Sequence, residues 1–279
     1  MPSKDASNDP LAGEPDDRPR EKRRAAPSFS QGPAQPRRGG AGEPPRAVAF
    51  PTALERAQAR RARARADAYH AIALLLLPPA EELTEGLDSG GLSRTLDQAV
   101  GRLALGTGEA LVDAVRALEG QTQEQLEQRH FSTFGASVGA AHPPYSTEYE
   151  RDAGFRKEQE LADIAGFYRA FGVGLADGLH ERPDHLGIEA DFLAFLSMKE
   201  ALALSRGEAE HLDIVAQARV RFARDYVLPA ARCFADRLAA EGRGEPFFAA
   251  AALLRELLVA DAGSDAPHRR VVSLPVVHG

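Results

Sequence analysis

The stretch HERPDHLGIEADFLAFLSMKEA, His180 to Ala201, carries the clearest structural signal of the chain. Pro183 and Asp184 stand near its start, and Asp is a favoured N-cap because its carboxylate accepts hydrogen bonds from the free N–H groups of the first helical turn. Further along, apolar side chains recur on one stripe at helical spacing: Ile188, Phe192, Phe195, Leu196 and Leu202. The pattern predicts a helix from Asp184 to about Ser205, with Asp184 as its cap.

His185 and Glu189 are four residues apart at the start of this helix. Side chains with that spacing share one helix face, so we expect the two to form a hydrogen-bonding pair. Capping and pairing explain these polar residues in purely structural terms. An exposed Asp-His face could also meet a binding partner, and the two interpretations are compatible.

From Thr52 onward the periodicity is helical almost everywhere. The predicted helices cover residues 56–77, 80–87, 92–105, 108–120, 121–135, 155–176, 184–205, 208–241 and 246–261. In the fifth of these, the apolar points are Leu126, Phe131 and Phe134. No alternating apolar and polar run is long enough for a sheet, and the Gly- and Pro-rich stretch GASVGAAHPPYSTEYE (Gly135 to Glu150) is predicted to be an ordered loop.

The composition separates the two ends of the chain from its middle. Residues 1–48 hold nine of the nineteen prolines and almost no large apolar side chains, so they cannot bury enough surface to offset their ordering entropy. The predicted fold class is all-α, with a single helical bundle-like domain at residues 51–261. A disordered extension at 1–50 precedes it, and a loose tail at 262–279, containing VVSLPVV, follows it.

Charge is distributed unevenly along the chain. Residues 1–68 contain 14 Lys/Arg against 9 Asp/Glu, whereas residues 69–279 contain 20 against 32. An acidic body argues against a nucleic-acid-binding domain, because phosphate contacts need clustered positive charge. It suits a basic partner. The run RAQARRARARAD (Arg56 to Asp67) is interpreted as the solvated face of the first helix, with a basic arm as the alternative.

The sequence also indicates a compartment. The apolar run AIALLLL (Ala71 to Leu77) ends at Pro78 and Pro79, far short of a membrane span. KRRAAPSF (Lys22 to Phe29) has paired arginines but no apolar region after them, so it is not expected to be a working export signal. Cys233 is the single cysteine, which excludes an internal disulfide and a Cys-based zinc cluster. Together these features predict a cytoplasmic protein without stable membrane insertion.

Two motifs resemble the paired signatures of the TorD/DmsD/NarJ family, the dedicated chaperones of molybdenum oxidoreductases, also called redox enzyme maturation proteins. They are PPYSTEY (Pro143 to Tyr149) and ERPDHLGIEADFLAFL (Glu181 to Leu196). Supporting matches are RADAYHAIALLLLPPAEEL, similar to the family's first helix, and FARDYVLPAARCFADRL (Phe222 to Leu238), similar to its late helix. The likeness covers roughly residues 52–260. It departs in the late helix, where Tyr226 and Ala230 replace a His and a Trp of the family pattern.

The resemblance implies an all-helical protein without catalytic activity and without a cofactor or metal of its own. Its partner would be the immature catalytic subunit of a molybdenum oxidoreductase, held until the client's molybdopterin guanine dinucleotide is inserted. Many similar proteins bind the client's twin-arginine signal peptide and so delay export. An acidic body with a groove could pair the two arginines and bury the apolar part of such a leader.

The residues expected to bind the client or its leader come from both motifs. They are Tyr145, Tyr149, Glu181, Asp184, His185 and Glu189. Asp184 and Glu181 would meet the basic end of the peptide, His185 would orient them or contact the peptide, and the two tyrosines would form groove walls. Neutralising Asp184 is expected to weaken client binding without unfolding the protein.

Two other function classes stay open. A helical metal-dependent hydrolase could use His180, His185 and Glu189, with Asp184 or Asp191, although His180 and His185 lie five apart across a proline and do not share a helix face as metal ligands. A helical adaptor could instead bind nucleic acid or a membrane surface through the basic N-terminal arm at residues 1–68. Metal analysis would separate the first from a chaperone, and deletion of the arm would separate the second.

Overall fold

The computed structural model describes residues 29–31, 51–135, 142–149, 153–176, 179–241 and 246–263. Within them the chain is almost entirely helical, and the all-α prediction is confirmed. The predicted disordered extension and loose tail lie outside the described residues, except for 29–31, 262 and 263. In chain order the helices are α1 (Ala53–Leu76), α2 (Glu81–Asp88), α3 (Gly91–Leu103), α4 (Gly108–Arg116), α5 (Gln123–Phe134), α6 (Ala153–Ala170), α7 (Leu186–Arg206), α8 (Ala209–Phe222), α9 (Leu228–Glu241) and α10 (Phe247–Ala262).

Helix α1 begins at a capping box and ends at a proline pair. The hydroxyl of Thr52 accepts a hydrogen bond from the Glu55 N–H at 3.1 Å, and the Glu55 carboxylate accepts one from the Thr52 N–H at 2.6 Å. Alanines on the buried side of α1 let it lie close along α7, its main partner in the core. The arginines at 56, 60, 61 and 63 are exposed, as the solvated-face interpretation predicts, but Arg65 turns inward.

The main core is one continuous apolar cluster to which all ten helices named above contribute. Its largest fully buried side chains include Tyr69, Tyr168, Phe192, Phe222 and Phe234. The rings of Tyr168, Phe192 and Phe222 meet one another edge to face or tilted, for example Tyr168 on Phe192 with centroids 4.7 Å apart. Contacts of this kind add about 0.5–1.5 kcal/mol per pair to the burial of the rings. The bundle thereby fixes the position of α7, whose start carries the polar residues Asp184, His185 and Glu189.

The segment predicted as one helix at 208–241 contains a wide turn. Residues Ala223–Val227 form a π-helical segment between α8 and α9, in which the Leu228 N–H donates to the Ala223 carbonyl, five residues earlier. Pro229 follows directly. Proline lacks an N–H group and its ring collides with the carbonyl four residues before it in a regular helix. The wide turn gives that ring room, so the helical path continues past the proline.

The prediction of a single helix at 155–176 is wrong at its C-terminal end. Helix α6 stops at Ala170, and Gly172 adopts a φ of 72°, in the left-handed region that glycine tolerates. Val173–Leu175 then forms strand β2, which pairs antiparallel with strand β1 (Phe29–Gln31), Phe29 opposite Leu175. The expectation that the chain has no sheet is therefore also wrong, although the pair is only three residues long.

A buried polar network ties α10 to the rest of the bundle. The Arg219 guanidinium contacts Asp261 on α10 at 2.6 Å and Glu200 on α7 at 2.9 Å. Arg65 on α1 reaches Glu200 at 2.5 Å and Asp261 at 3.7 Å. The hydroxyl of Tyr69 donates to Asp261 at 2.8 Å. Two arginines and two carboxylates thus balance in charge, and four helices meet at this point.

Candidate functional site

The two sequence motifs, forty residues apart in the chain, are joined backbone to backbone. Tyr145 and His185 form an antiparallel bridge. The Ser146 N–H donates to the Asp184 carbonyl at 2.8 Å, and the Leu186 N–H donates to the Pro144 carbonyl at 2.7 Å. The loop of residues 142–149 is therefore laid across the start of α7 like a short strand, and the prediction that it is ordered holds for these residues.

Asp184 is fully buried and fastens this loop with its side chain. Its carboxylate accepts hydrogen bonds from the Thr147 hydroxyl at 2.7 Å and from the Arg182 guanidinium at 2.6 and 2.9 Å. Arg182 in turn contacts Glu148 at 2.8 Å. Both oxygens of the carboxylate are used within the protein, so Asp184 serves the junction between loop and helix.

The cap of α7 is His185, and the prediction that Asp184 caps this helix is wrong. The His185 Nδ1 atom accepts a hydrogen bond from the Gly187 N–H at 3.0 Å. Asp184 does not take this position because its carboxylate is held by Thr147 and Arg182. Burial, with smaller contributions from His130 and Arg182, lowers the pKa of His185 to about 3. The ring is therefore neutral at neutral pH, as an acceptor at Nδ1 must be.

Replacing His185 with asparagine is expected to remove a pH-dependent loss of stability. The asparagine oxygen can accept the same Gly187 N–H bond but does not titrate. In the parent protein, the unfolded chain takes up a proton on His185 as pH falls below about 6.5, whereas the folded protein does not until about pH 3. The free energy of unfolding should thus fall by about 2 kcal/mol more between pH 7 and pH 5 in the parent than in His185→Asn. Urea unfolding at a series of pH values measures the difference, and parallel curves would contradict this assignment.

Glu189 is also fully buried, and its partner is not His185. Its Oε1 atom accepts a hydrogen bond from the Ser146 hydroxyl at 2.8 Å. The predicted pair of His185 and Glu189 side chains is replaced by this contact, because the imidazole caps the helix and the loop supplies the hydroxyl. Burial raises the pKa of Glu189 well above its usual range, and the nearby Asp184 adds to that rise. Glu189 thus anchors the loop through its bond to Ser146.

The expectation of an exposed Asp-His face is wrong. Asp184, His185 and Glu189 are 0%, 1% and 0% exposed. They are buried because the loop covers them, a contact that the helical pattern of α7 alone does not reveal. Contact between these side chains and a client stays a prediction. In this structure Asp184 and Glu189 bind hydroxyl groups of the loop, and His185 pairs with Tyr145 of the loop. The partly exposed members of the predicted set are Tyr145, Tyr149 and Glu181.

A cleft of about 380 Å³ opens beside this junction. It lies between α5, the prolines that end α1, and the loop over the start of α7. Its lining residues are Pro78, Pro79, Glu127, His130, Phe131, Phe134, Gly135, Pro144, Tyr145, Glu181 and His185. The cleft therefore brings together three of the six predicted residues, namely Tyr145, Glu181 and the edge of His185.

The walls of the cleft are mainly aromatic. The ring of Tyr145 meets that of His185 edge to face, with centroids 5.1 Å apart. On the opposite side, Phe131 is 60% exposed, although its spacing in α5 places it among the apolar points expected to be buried. The His130 imidazole lies against the Phe134 ring and donates through Nε2 to the Leu76 carbonyl at 3.0 Å; burial lowers its pKa. The exposed Phe131 ring therefore adds apolar surface to the cleft, of the kind that apolar ligands contact.

Glu127 and Glu181 make the cleft acidic. The Glu181 carboxylate accepts a hydrogen bond from the Tyr145 hydroxyl at 2.7 Å, and that of Glu127 accepts one from the Gln123 amide at 2.9 Å. Neither carboxylate forms an ion pair with a described residue. The guanidinium of Arg182 stands 4.7 Å from the centre of the Tyr145 ring, but its charge is met by Asp184 and Glu148. The site thus offers two negative charges that a cationic ligand could neutralise.

Tyr149 lies on the other side of the loop and does not line the cleft. Its hydroxyl donates to the Pro143 carbonyl at 2.9 Å, and its ring packs against Phe234 of α9 with centroids 6.0 Å apart. The Arg237 guanidinium stands 4.7 Å from the centre of the same ring. Tyr145 therefore lines the cleft, whereas Tyr149 fixes the loop to α9, and a role of either tyrosine in client binding stays a prediction. Glu127 and Phe131 line the cleft as well, although neither belongs to the two motifs.

The residues considered as metal ligands of a hydrolase do not lie together in the structure. His180 is exposed, His185 is buried as a cap, and Asp191 lies 3.1 Å from His70 on α1. In the part of the chain that the structure describes, no three His, Cys, Asp or Glu side chains are grouped so that they could hold a metal ion. Nor is any described helix long and apolar enough to cross a membrane.

The described residues form a helical protein with an acidic, partly aromatic cleft beside the junction of its two motifs. Residues 100–229 match the family model described as nitrate reductase delta subunit. This region contains both quoted motifs, α5 and α7, and the match confirms the resemblance to the NarJ/TorD-type chaperone family seen in the sequence. That family consists of non-catalytic chaperones of molybdoenzyme maturation. No curated protein gives a significant match to the chain.

Proposed function

We propose that the protein is a dedicated cytoplasmic chaperone for the catalytic subunit of one molybdenum oxidoreductase. It holds the immature subunit, and its twin-arginine leader, until the client's molybdopterin guanine dinucleotide is inserted. The cofactor belongs to the client in this proposal, and the chaperone carries none. The family supports the general role, and the helical domain at residues 51–261 is the part that we assign to it.

The cleft is the observation that carries the leader-binding part of the proposal. A twin-arginine leader presents two guanidinium groups followed by an apolar stretch. Arginine forms bidentate, charge-assisted hydrogen bonds with carboxylates, and Glu127 and Glu181 offer carboxylates without ion-pair partners among the described residues. Phe131 and Tyr145 supply apolar surface for the stretch that follows. Charge and shape therefore fit the same peptide.

The buried residues of the two motifs hold the loop that forms one wall of the cleft. Asp184 and Glu189 hold Thr147 and Ser146 of the loop, and His185 bridges to Tyr145. Through these contacts the Tyr145 ring and its bond to Glu181 are kept in place. A rigid wall reduces the entropy lost when a peptide binds. The motif residues are thus proposed to position the binding surface, while Glu181, Glu127, Phe131 and Tyr145 touch the leader.

Neutralising Glu181 is expected to weaken leader binding without changing stability. Loss of one charge-assisted contact at a partly exposed site corresponds to roughly 1–2 kcal/mol, or about a 5- to 30-fold rise in Kd. Isothermal titration calorimetry of the full chain with twin-arginine leader peptides from molybdoenzymes of the same genome measures this for Glu181→Gln. A leader with both arginines replaced by glutamine should bind more weakly to the parent and equally to the parent and Glu181→Gln.

Glu124→Gln is the matched control, because Glu124 is an exposed glutamate in the first turn of the same helix as Glu127 but outside the cleft. Its Kd should equal that of the parent. Equal Kd values for Glu181→Gln and Glu124→Gln would remove the cleft from the leader site. Absence of binding to every leader would restrict the chaperone to the mature body of its client.

A further inference from the structure

An exposed apolar stripe on α7 has no part in the proposed function. Met198 and Leu202 are 41% and 40% exposed and lie four residues apart, and the partly exposed Phe195 precedes Met198 by three residues. This spacing places the three side chains on one face of the helix. The stripe begins about 15 Å along α7 from His185, at 1.5 Å per residue, and none of the three side chains lines the cleft.

The contacts between α1 and α7 put this stripe on the outer side of the helix pair. On the inner side, the Arg65 guanidinium contacts the Glu200 carboxylate at 2.5 Å. Successive residues of a helix are rotated by about 100°, so side chains two positions away from this contact point in roughly the opposite direction. Arg63 is exposed and therefore lies on the outer side of α1, level with Met198 and Leu202 on the outer side of α7.

Cationic side chains flank the stripe on both sides. Arg60 and Arg63, one turn apart on α1, are exposed, and neither forms an ion pair with a carboxylate in the described part of the chain. The partly buried Asp67 interacts with Arg63 only at longer range. At the other edge, the Lys199 ammonium stands 5.3 Å from the centre of the Phe195 ring. The outer face of the pair thus combines exposed apolar surface with two arginines that lack counter-charges.

We propose that this face binds an acidic amphipathic helix of a partner protein, with apolar side chains on Met198 and Leu202 and carboxylates on Arg60 and Arg63. A helix fits better than an extended segment, because the backbone groups of α1 and α7 are bonded within their own helices and would leave an extended chain unpaired. Helices also pack on one another through apolar stripes of this period. The identity of the partner rests on the proposed function: the helix would belong to the client subunit, whose leader occupies the cleft.

Two other occupants fit the charges of this face less well. A second copy of the chain, docked through the same face, would bring Arg60 and Arg63 against the same cations. An anionic membrane would have to approach a chain of net charge −7, and it would gain little apolar surface from two side chains that are 41% and 40% exposed. An acidic helix supplies both an apolar stripe and the opposite charge.

A designed peptide tests this surface. It has about 18 residues, or five helical turns, with a stripe of leucines and one tryptophan flanked by glutamates. The protein contains no tryptophan, so tryptophan emission reports the peptide alone, and a saturable blue shift is expected with the full-length parent. Arg60→Gln/Arg63→Gln should raise Kd about 3- to 10-fold because two exposed ion pairs are lost. Met198→Gln/Leu202→Gln should raise it about 10-fold.

Arg102→Gln/Arg169→Gln is the matched control, since both arginines are exposed, lie on α3 and α6, and change the net charge by the same amount. Its Kd should equal that of the parent. Charge reversal is the stricter test. Arg60→Glu/Arg63→Glu should bind a peptide with lysines in place of the glutamates more tightly than the parent does, because the signs are then complementary again.

The outcomes separate this inference from the proposed function. Glu181→Gln should leave peptide affinity unchanged, and Arg60→Gln/Arg63→Gln should leave leader affinity unchanged. Peptide binding that needs both arginines, with no leader binding, would uphold the inference and refute leader binding. No saturable binding at about 1 mM peptide, or equal Kd values for the two arginine pairs, would overturn the inference. So would sedimentation with phosphatidylserine vesicles, or a dimer in sedimentation velocity, that is lost in Met198→Gln/Leu202→Gln, since a membrane or a second copy would then cover the face.

Discussion

Replacement of Asp261 with alanine is expected to lower the free energy of unfolding by about 3–5 kcal/mol, the cost of removing one partner from a buried ion pair. Asp261 is 4% exposed and contacts both Arg219 and the Tyr69 hydroxyl. Without it, Arg219 and Arg65 face the single charge of Glu200 in a largely buried site. Urea unfolding followed by circular dichroism measures the change as a lower midpoint at an unchanged slope.

Asp236→Ala is the control, since Asp236 also pairs with an arginine, Arg255 of α10, but its side chain is 72% exposed. An exposed pair of this kind contributes about 0.2–1 kcal/mol. The double variant Asp261→Ala/Arg219→Met tests the cause. If the penalty comes from the unpaired Arg219 charge, the double variant should be more stable than Asp261→Ala. Equal losses for Asp261→Ala and Asp236→Ala would show that the network does not hold α10.

Asp184→Ala is expected to lower the free energy of unfolding by about 3 kcal/mol and to weaken leader binding at the same time. The value is at the lower end of the range for a buried pair because Arg182 is 27% exposed and keeps Glu148 as a partner. The loop would lose the bonds from Thr147 to the Asp184 carboxylate, so the amide of Thr147 should exchange faster with deuterium. This revises the expectation from the sequence that neutralising Asp184 affects binding alone.

The matched control is Asp163→Ala, an exposed aspartate on α6, for which a change within about 0.5 kcal/mol is expected. Comparing Kd and stability in Glu181→Gln and Asp184→Ala separates a contact residue from a residue that holds the loop. Glu181→Gln should change Kd at constant stability, whereas Asp184→Ala should change both. If Asp184→Ala altered Kd while leaving the unfolding midpoint and Thr147 exchange intact, Asp184 would be a contact residue, and the framework role would be refuted.

Most helices could be predicted from the sequence because apolar spacing reports which face of a helix is buried. The start of α5 after Thr122 and the end of α1 before Pro78 follow from local chemistry. The end of α6 could not be predicted, since Val173 continues the apolar pattern and only its pairing with Gln31 makes it a strand. That pairing depends on a segment 142 residues away in the chain.

The candidate site was only partly predictable for a related reason. Motif residues such as Asp184 and His185 are polar and stand at a helix start, which is equally typical of a binding site and of a buried junction. Burial by residues 142–149 decides between them, and it is a tertiary contact. Phe131 shows the converse case: its spacing in α5 predicts a core residue, but its side chain is 60% exposed.

At the π-helical segment Ala223–Val227, between α8 and α9, the chain can lose one residue without changing which faces of the two helices are buried. A wide turn holds about one residue more than an α-turn while the helices on either side keep their faces. Deleting one residue there would convert it to an ordinary turn, provided that Pro229 was also replaced, because the proline would then lie inside a regular helix. The same deletion within α8 or α9 would rotate the following residues by about 100° and carry Phe234 out of the core. Among relatives, a one-residue gap at this turn and the loss of the proline should therefore occur together.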